Sequence, residues 1–217
     1  MPETDPRAWR AISVGWIVLA GLLLAGTQIP RTVSAATGEA LPEIAADNAI
    51  IISPRTTLDS LLRLTGTFHE LVGEDGITQA NEGRLRNLNQ QFEKLFDLRD
   101  VPPKYRRHVA AETAIYLREA LARYPLPAMD EVPDEERMVE RISEGRVALY
   151  QLPGTQAGLR KTDAGVYEGR YQFSAATLAE ARNWYEASEV FPYHEGQESV
   201  DGLYEAYFLT PGPLIPH

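Results

Sequence analysis

Val166-Tyr167-Glu168-Gly169-Arg170-Tyr171-Gln172-Phe173 runs directly into Ser174-Ala175-Ala176-Thr177-Leu178-Ala179-Glu180-Ala181-Arg182-Asn183-Trp184-Tyr185, and a change of period inside it decides the fold. In the first part Tyr167, Tyr171 and Phe173 alternate with Glu168, Arg170 and Gln172. That period of two predicts a strand with one buried and one wet face. From Ser174 the spacing turns helical, with Leu178, Ala181, Trp184 and Tyr185 on one side. Either Ser174 or Thr177 can cap this helix, and Thr177 with Glu180 has capping-box spacing. A strand feeding an amphipathic helix lets both apolar faces close on the same core.

Upstream, Ser53 and Pro54 open a helix, Ser53 as N-cap and Pro54 where its missing N–H is not needed. Leu58, Leu61, Leu62, Thr65, Phe68 and Val72 form its stripe, and Gly73 and Gly76 end it. A second helix is predicted from Asn81 to Leu98 on Leu85, Leu88, Phe92, Leu95 and Phe96, broken at Pro102-Pro103. A third spans Lys104 to Tyr124, with Tyr105, Val109, Tyr116, Leu117, Ala120, Leu121 and Tyr124 facing inward. Val147 to Leu152 reads as a strand, and the polar loop after it, with Gly154 and Gly165, makes a long-looped hairpin with the strand at Tyr171. Two strands alone are marginal in water, so the helices must cover them. Past the closing helix, Leu203, Tyr204, Tyr207 and Phe208 again have helical spacing.

The N-terminus sets the compartment. Arg7 and Arg10 precede an uncharged run from Ala11 to Gly26. As a helix the run is about 24 Å long, short of a bilayer core of about 30 Å. Val33-Ser34-Ala35 is a small-residue site that favours cleavage as a signal peptide, and a retained membrane anchor is the alternative. In both cases the arginines stay in the cytoplasm and the chain beyond about residue 36 is translocated. The expected organisation is a leader over 1–35, a linker over 36–52, an extracytoplasmic domain over 53–209 and a proline-rich linker over 210–217. The expected fold class is α+β and mostly helical: the leader helix, about three antiparallel helices, the hairpin and a C-terminal amphipathic helix.

A net charge of -10 argues against nucleic acid, whose phosphates demand clustered Lys and Arg. With no cysteine there are no disulfides, thiol nucleophiles or thiolate metal sites. His69, His108, His194 and His217 are scattered, and His108 with Glu112 is a lone pair one turn apart, short of a ligand set. The acidic stretch from Asp130 to Glu136 has the charge to hold calcium but not the glycine pattern of a calcium loop, and reads as a solvated loop. Ser174 sits between strand and helix as a hydrolase nucleophile does, yet lacks the flanking glycines of the elbow, so capping is the better account. Gly154, Gly158 and Gly165 are too irregular for a phosphate cradle. The tyrosines and Trp184 read as core residues first and as pocket lining second. No catalytic, cofactor-binding or metal residue is therefore assigned, and the chain is not read as an enzyme.

Several stretches together resemble a known family. Ser-Pro-Arg-Thr-Thr-Leu over 53–58, Phe-Asp-Leu-Arg-Asp-Val-Pro-Pro over 96–103, Arg170 to Leu178 followed by Trp184-Tyr185, and Leu209 to Pro216 resemble the extracytoplasmic N-terminal region of bacterial mechanosensitive ion channels of the small-conductance family. In that family the region precedes membrane helices, a pore helix rich in glycine and alanine, and a cytoplasmic β-domain. The resemblance implies an amino-terminal piece of such a channel or a stand-alone relative of its outer domain. It implies contact with membrane segments or neighbouring subunits, a homo-oligomer within a channel, and no catalytic residues. An exported binding module for a small molecule or protein is the alternative. Fractionation of cells that make the chain is expected to place it in the envelope, and recovery from the cytosol would contradict the leader.

Overall fold

A computed structural model describes residues 49–73, 76–197 and 200–210, and the leader, most of the linker and the tail after Thr210 lie outside them. The described residues combine six α-helices with one three-stranded antiparallel sheet. No helix among them is long and apolar enough to cross a membrane.

Helix α1 (Pro54–Gly73) starts as its sequence dictates. The Ser53 hydroxyl accepts the Thr56 N–H at 3.2 Å while the Ser53 N–H reaches the Thr56 hydroxyl at 2.9 Å, so two groups without helical partners are satisfied reciprocally. Its buried stripe holds Leu58, Leu61, Leu64, Thr65, Phe68 and Val72. Ile51, in the stretch that composition makes a linker, is fully buried, and the Ile50 carbonyl accepts from the Ser60 hydroxyl at 3.1 Å. Helix α2 (Glu82–Leu95) buries Leu85, Leu88, Phe92 and Leu95, and Phe96 leaves it in extended backbone.

Helix α3 (Arg106–Leu121) is the element the others surround, packing on α1, α2 and the two helices at the C-terminal end. Ala110, Ala111, Ala114 and Ala120 are all fully buried, and side chains that small let neighbouring backbones come close on several sides. The Pro102-Pro103 break gives it a separate 3-10 turn, Pro103–Tyr105. Tyr105 is consequently 50% exposed instead of facing inward. Helix α4 (Glu135–Ser143) occupies the stretch after the acidic run, and Asp134 caps it by accepting the Arg137 N–H at 3.0 Å.

The sheet corrects the hairpin. Strand β1 (Leu149–Gln151) and strand β3 (Tyr171–Phe173) do not pair, because strand β2 (Gly158–Lys161) lies between them in the order β1-β2-β3. Leu149 faces Arg160 in one pair, and Arg160 faces Gln172 in the other. The stretch read as a polar loop thus contains the central strand, which its glycine and two cations concealed. Gly158 sits where it does for steric reasons: a Cβ would come within 3.1 Å of Gln151 Oε1 and 3.3 Å of Leu149 Cδ1.

The alternation at Tyr167 to Phe173 is only partly a strand, since residues 165–169 form turns. Nor does β3 have a wet face. Gln172 is 3% exposed, its Nε2 donating to the carbonyls of Lys94 at 2.8 Å and Phe96 at 3.0 Å while its Oε1 accepts from the Thr162 hydroxyl at 2.8 Å. Alongside, the Asp97 N–H reaches the Phe173 carbonyl at 2.9 Å and the Phe96 and Phe173 rings stack at 5.5 Å. Helix α5 (Ala175–Ser188) follows with Ser174 as its N-cap, accepting from the Thr177 N–H at 3.2 Å. Thr177 is not the cap: its buried hydroxyl accepts the Gly158 N–H at 2.9 Å, and Glu180 accepts from Asn183 instead of reaching back. Helix α6 (Leu203–Phe208) lies on α1 and α3.

Replacing Gln172→Leu removes three hydrogen bonds, those to the carbonyls of Lys94 and Phe96 and from the Thr162 hydroxyl, two of them buried. The expected cost is about 3 kcal/mol of unfolding free energy, read as a lower denaturant midpoint with an unchanged slope.

Candidate functional site

Several residues that invite a chemical reading have structural roles, and His217 lies outside the described residues. The Ser174 hydroxyl lies 3.0 Å from the Thr177 hydroxyl and caps α5. His108 Nε2 sits 3.3 Å from Glu112 Oε1 on the exposed flank of α3, one turn apart. In the acidic stretch Asp134 caps α4 and pairs with Arg55 at 3.3 Å, while the Asp130 carbonyl accepts from Arg55 at 3.2 Å and Arg137 at 2.6 Å. The run is thus a cross-link between α1 and α4. Among the described residues no cluster of His, Asp or Glu is arranged to hold a metal ion. Gly154 and Gly165 take positive φ in turns, and Gly158 lies in a strand.

Three of the stretches behind the family resemblance meet in space. Thr57, from the first, donates its hydroxyl to the Tyr171 carbonyl at 2.7 Å. Phe96 and Asp97, from the second, bond Gln172 and Phe173 of the third. The joint so formed holds the start of α1, the end of α2, β3 and the cap of α5. Its side chains are spent on geometry, which is what these residue types in this pattern accomplish here. Flanking it, Arg99 grips Asp97 with two hydrogen bonds of 2.9 Å and reaches Asp163 at 2.7 Å. The hydrogen bond from Arg99, and then its charge, hold the Asp97 carboxyl below its ordinary 3.8.

A second polar group escaped the sequence reading. Glu119, on α3 and 1% exposed in its side chain, accepts from Arg123 Nη1 at 2.9 Å, the Tyr193 hydroxyl at 2.9 Å and the Tyr204 N–H at 3.1 Å. All three partners donate, as a carboxylate requires. Burial and then Glu119 push the Tyr193 hydroxyl up to about 12, so it remains a donor at neutral pH. Arg123 also donates to the Phe191 carbonyl at 3.2 Å and lies 4.4 Å over the Tyr193 ring. The available signal was the Glu119 and Arg123 spacing of four on a helix whose neighbouring positions are apolar.

The aromatic side chains divide between core and surface. Tyr185 and Tyr204 stack at 5.0 Å, and Tyr116 touches both as well as Phe208. Tyr207 and Phe208 extend to the wall of a groove of about 550 Å³ that Phe68, Ile77, Leu85 and His108 complete. A separate cleft of about 450 Å³ lies beside the joint, lined by Phe96, Leu98, Arg106, Val166 and Tyr167. Trp184 packs on Tyr124 at 5.4 Å.

Compared with protein-family models, with curated proteins and with solved structures, the chain gave no match.

The Asp97 bond gives a pH signature with a fixed sign. A carboxyl whose folded value is lowered adds stability that is present above its ordinary 3.8 and is lost as pH falls through the folded value. Asp97→Asn is expected to lower stability at pH 7 and to flatten the loss below about pH 4, measured by denaturant midpoints across the acid range.

Proposed function

We propose that residues 53–209 form the non-catalytic extracytoplasmic N-terminal domain of a mechanosensitive channel of the small-conductance family, acting on gating or assembly by contact. The observation that carries this reading is the meeting of Thr57, Phe96, Asp97 and the Tyr171 to Ser174 stretch at one joint. Short motifs separated by up to about a hundred residues form a single frame there, which fits one domain type better than chance words. Buried ionisable groups that serve the fold, Glu119 foremost, accord with a domain that works by position. Its partners on this reading are the membrane and either channel-forming segments or neighbouring copies of the chain. The compartment is the periplasmic side of the inner membrane, with the leader either cleaved or kept as an anchor. A gate responds to such a domain only if the domain contacts open and closed states differently.

The deciding experiment deletes residues 53–209 from the gene in its own reading frame and records tension-activated currents in membrane patches. A shifted tension threshold or altered assembly is expected. An unchanged threshold with unchanged assembly, or no tension-activated current from the intact gene, would contradict the proposal.

The groove of about 550 Å³ and the cleft of about 450 Å³ favour a second reading, an exported binding module, because both fall in the size range of ligand sites. A ligand-dependent rise in melting temperature across a small-molecule panel would support that reading over the first.

A further inference from the structure

We propose that the cleft of about 450 Å³ beside the Gln172 joint binds a small apolar carboxylic acid, its carboxylate on the Arg106 guanidinium and its body against Phe96, Leu98, Val166 and Tyr167. Such a site rests on the binding-module reading, to which it gives a ligand class, and does not depend on the channel. Phe96 and Leu98 follow the end of α2 and are both buried in the core. Val166 and Tyr167 come from the loop between β2 and β3, which is tied at its base. There the Gly169 N–H reaches the Thr162 carbonyl at 2.8 Å and the Thr162 N–H the Arg170 carbonyl at 2.7 Å, while Arg99 holds Asp163. Val166 is thereby kept at the cleft although it is 87% exposed. An apolar guest would take that surface out of water.

Most polar groups of the lining are already committed. The Gln172 amide is spent on Lys94, Phe96 and Thr162. Asp97 is gripped by Arg99, and Glu93 pairs with Arg107 at 3.0 Å. Arg106 differs from these. Its Nε donates to the Val101 carbonyl at 3.0 Å, which anchors the guanidinium, and among the described residues no carboxylate pairs with it. Both Nη groups keep their hydrogens for a guest, and their end-on fork matches the two oxygens of a carboxylate. A phosphate would bring a second charge, and Arg99, the other cation of the lining, is already held by Asp97 and Asp163. One anchored cation beside apolar walls is the usual make-up of a site that orients an apolar ligand by a single polar end.

Calorimetric titration of the whole chain with 4-phenylbutanoate, octanoate and indole-3-acetate, each beside its uncharged primary amide, tests both parts of the site. At least one acid is expected to bind about tenfold or more tightly than its amide. Arg106→Gln is expected to erase that preference, and Arg106→Lys to keep part of it. Val166→Asp covers the case in which Arg106→Gln fails to fold, since the position is exposed. By setting a like charge at the mouth it should weaken the acid about fivefold or more, and the amide less. An acid preference that survives Arg106→Gln or Val166→Asp, or amides that bind as tightly as their acids, would overturn the carboxylate assignment and leave the binding-module reading standing. Absence of binding by all these compounds would overturn it too, whereas a melting-temperature rise with a compound of another class would still support that reading.

Discussion

One buried amide sets the relation between the two halves of this domain. Gln172 stands in the middle of a three-residue strand, and its side chain donates to the carbonyls of Lys94, in the last turn of α2, and of Phe96, just past its end. Helix and sheet are thereby fixed in register by hydrogen bonds that no apolar pair could make. Once that register is set, Phe173 stacks on Phe96, Thr57 reaches the Tyr171 carbonyl, and Ser174 begins α5 at the point where β3 ends. The sheet is too small to stand alone, and this joint gives it helices to stand on.

Helix α3 carries the complementary arrangement. Its alanines let α1, α2, α5 and α6 approach it, so that charged positions on its last turns end up buried as well. Glu119 turns that burial to use by accepting from three partners, two of them far along the chain. Arg118 does not reach the same satisfaction. Buried ion pairs are poor sources of net stability but good sources of a defined geometry, and here the geometry concerns how the C-terminal segment lies on the body.

The helices were largely legible in the sequence because their stripes are long and strongly periodic. Leu85, Leu88, Phe92 and Leu95 are all buried as spacing requires, and Ser53 and Ser174 cap as their positions suggest. Of the three short strands, β1 and β3 lie inside stretches whose sequence reads as strand, and only β2 was not legible. Gly158-Leu159-Arg160-Lys161 has neither length nor alternation to announce it, and its place in the sheet comes from Thr177 and Ser174, which hydrogen-bond Gly158 across the chain. Gln172 was read as solvent-facing because a period of two knows only polar and apolar, whereas burial depended on Lys94 and Phe96 offering carbonyls at the right distance. The same limit hid Glu119: an i,i+4 pair with Arg123 normally marks a wet helix face, and only the arrival of Tyr193 and Tyr204 makes it an interior group.

The joint at Gln172 belongs to the rigid frame that fixes helix against sheet. The most direct measurement is native-state hydrogen exchange of the Asp97 amide, whose N–H bonds the Phe173 carbonyl at the heart of that joint. The account predicts exchange only through global unfolding, with a protection free energy equal to that of the most protected amides of α3 and an equal dependence on denaturant. Exchange of Asp97 by a local, denaturant-independent opening while α3 stays protected would contradict it.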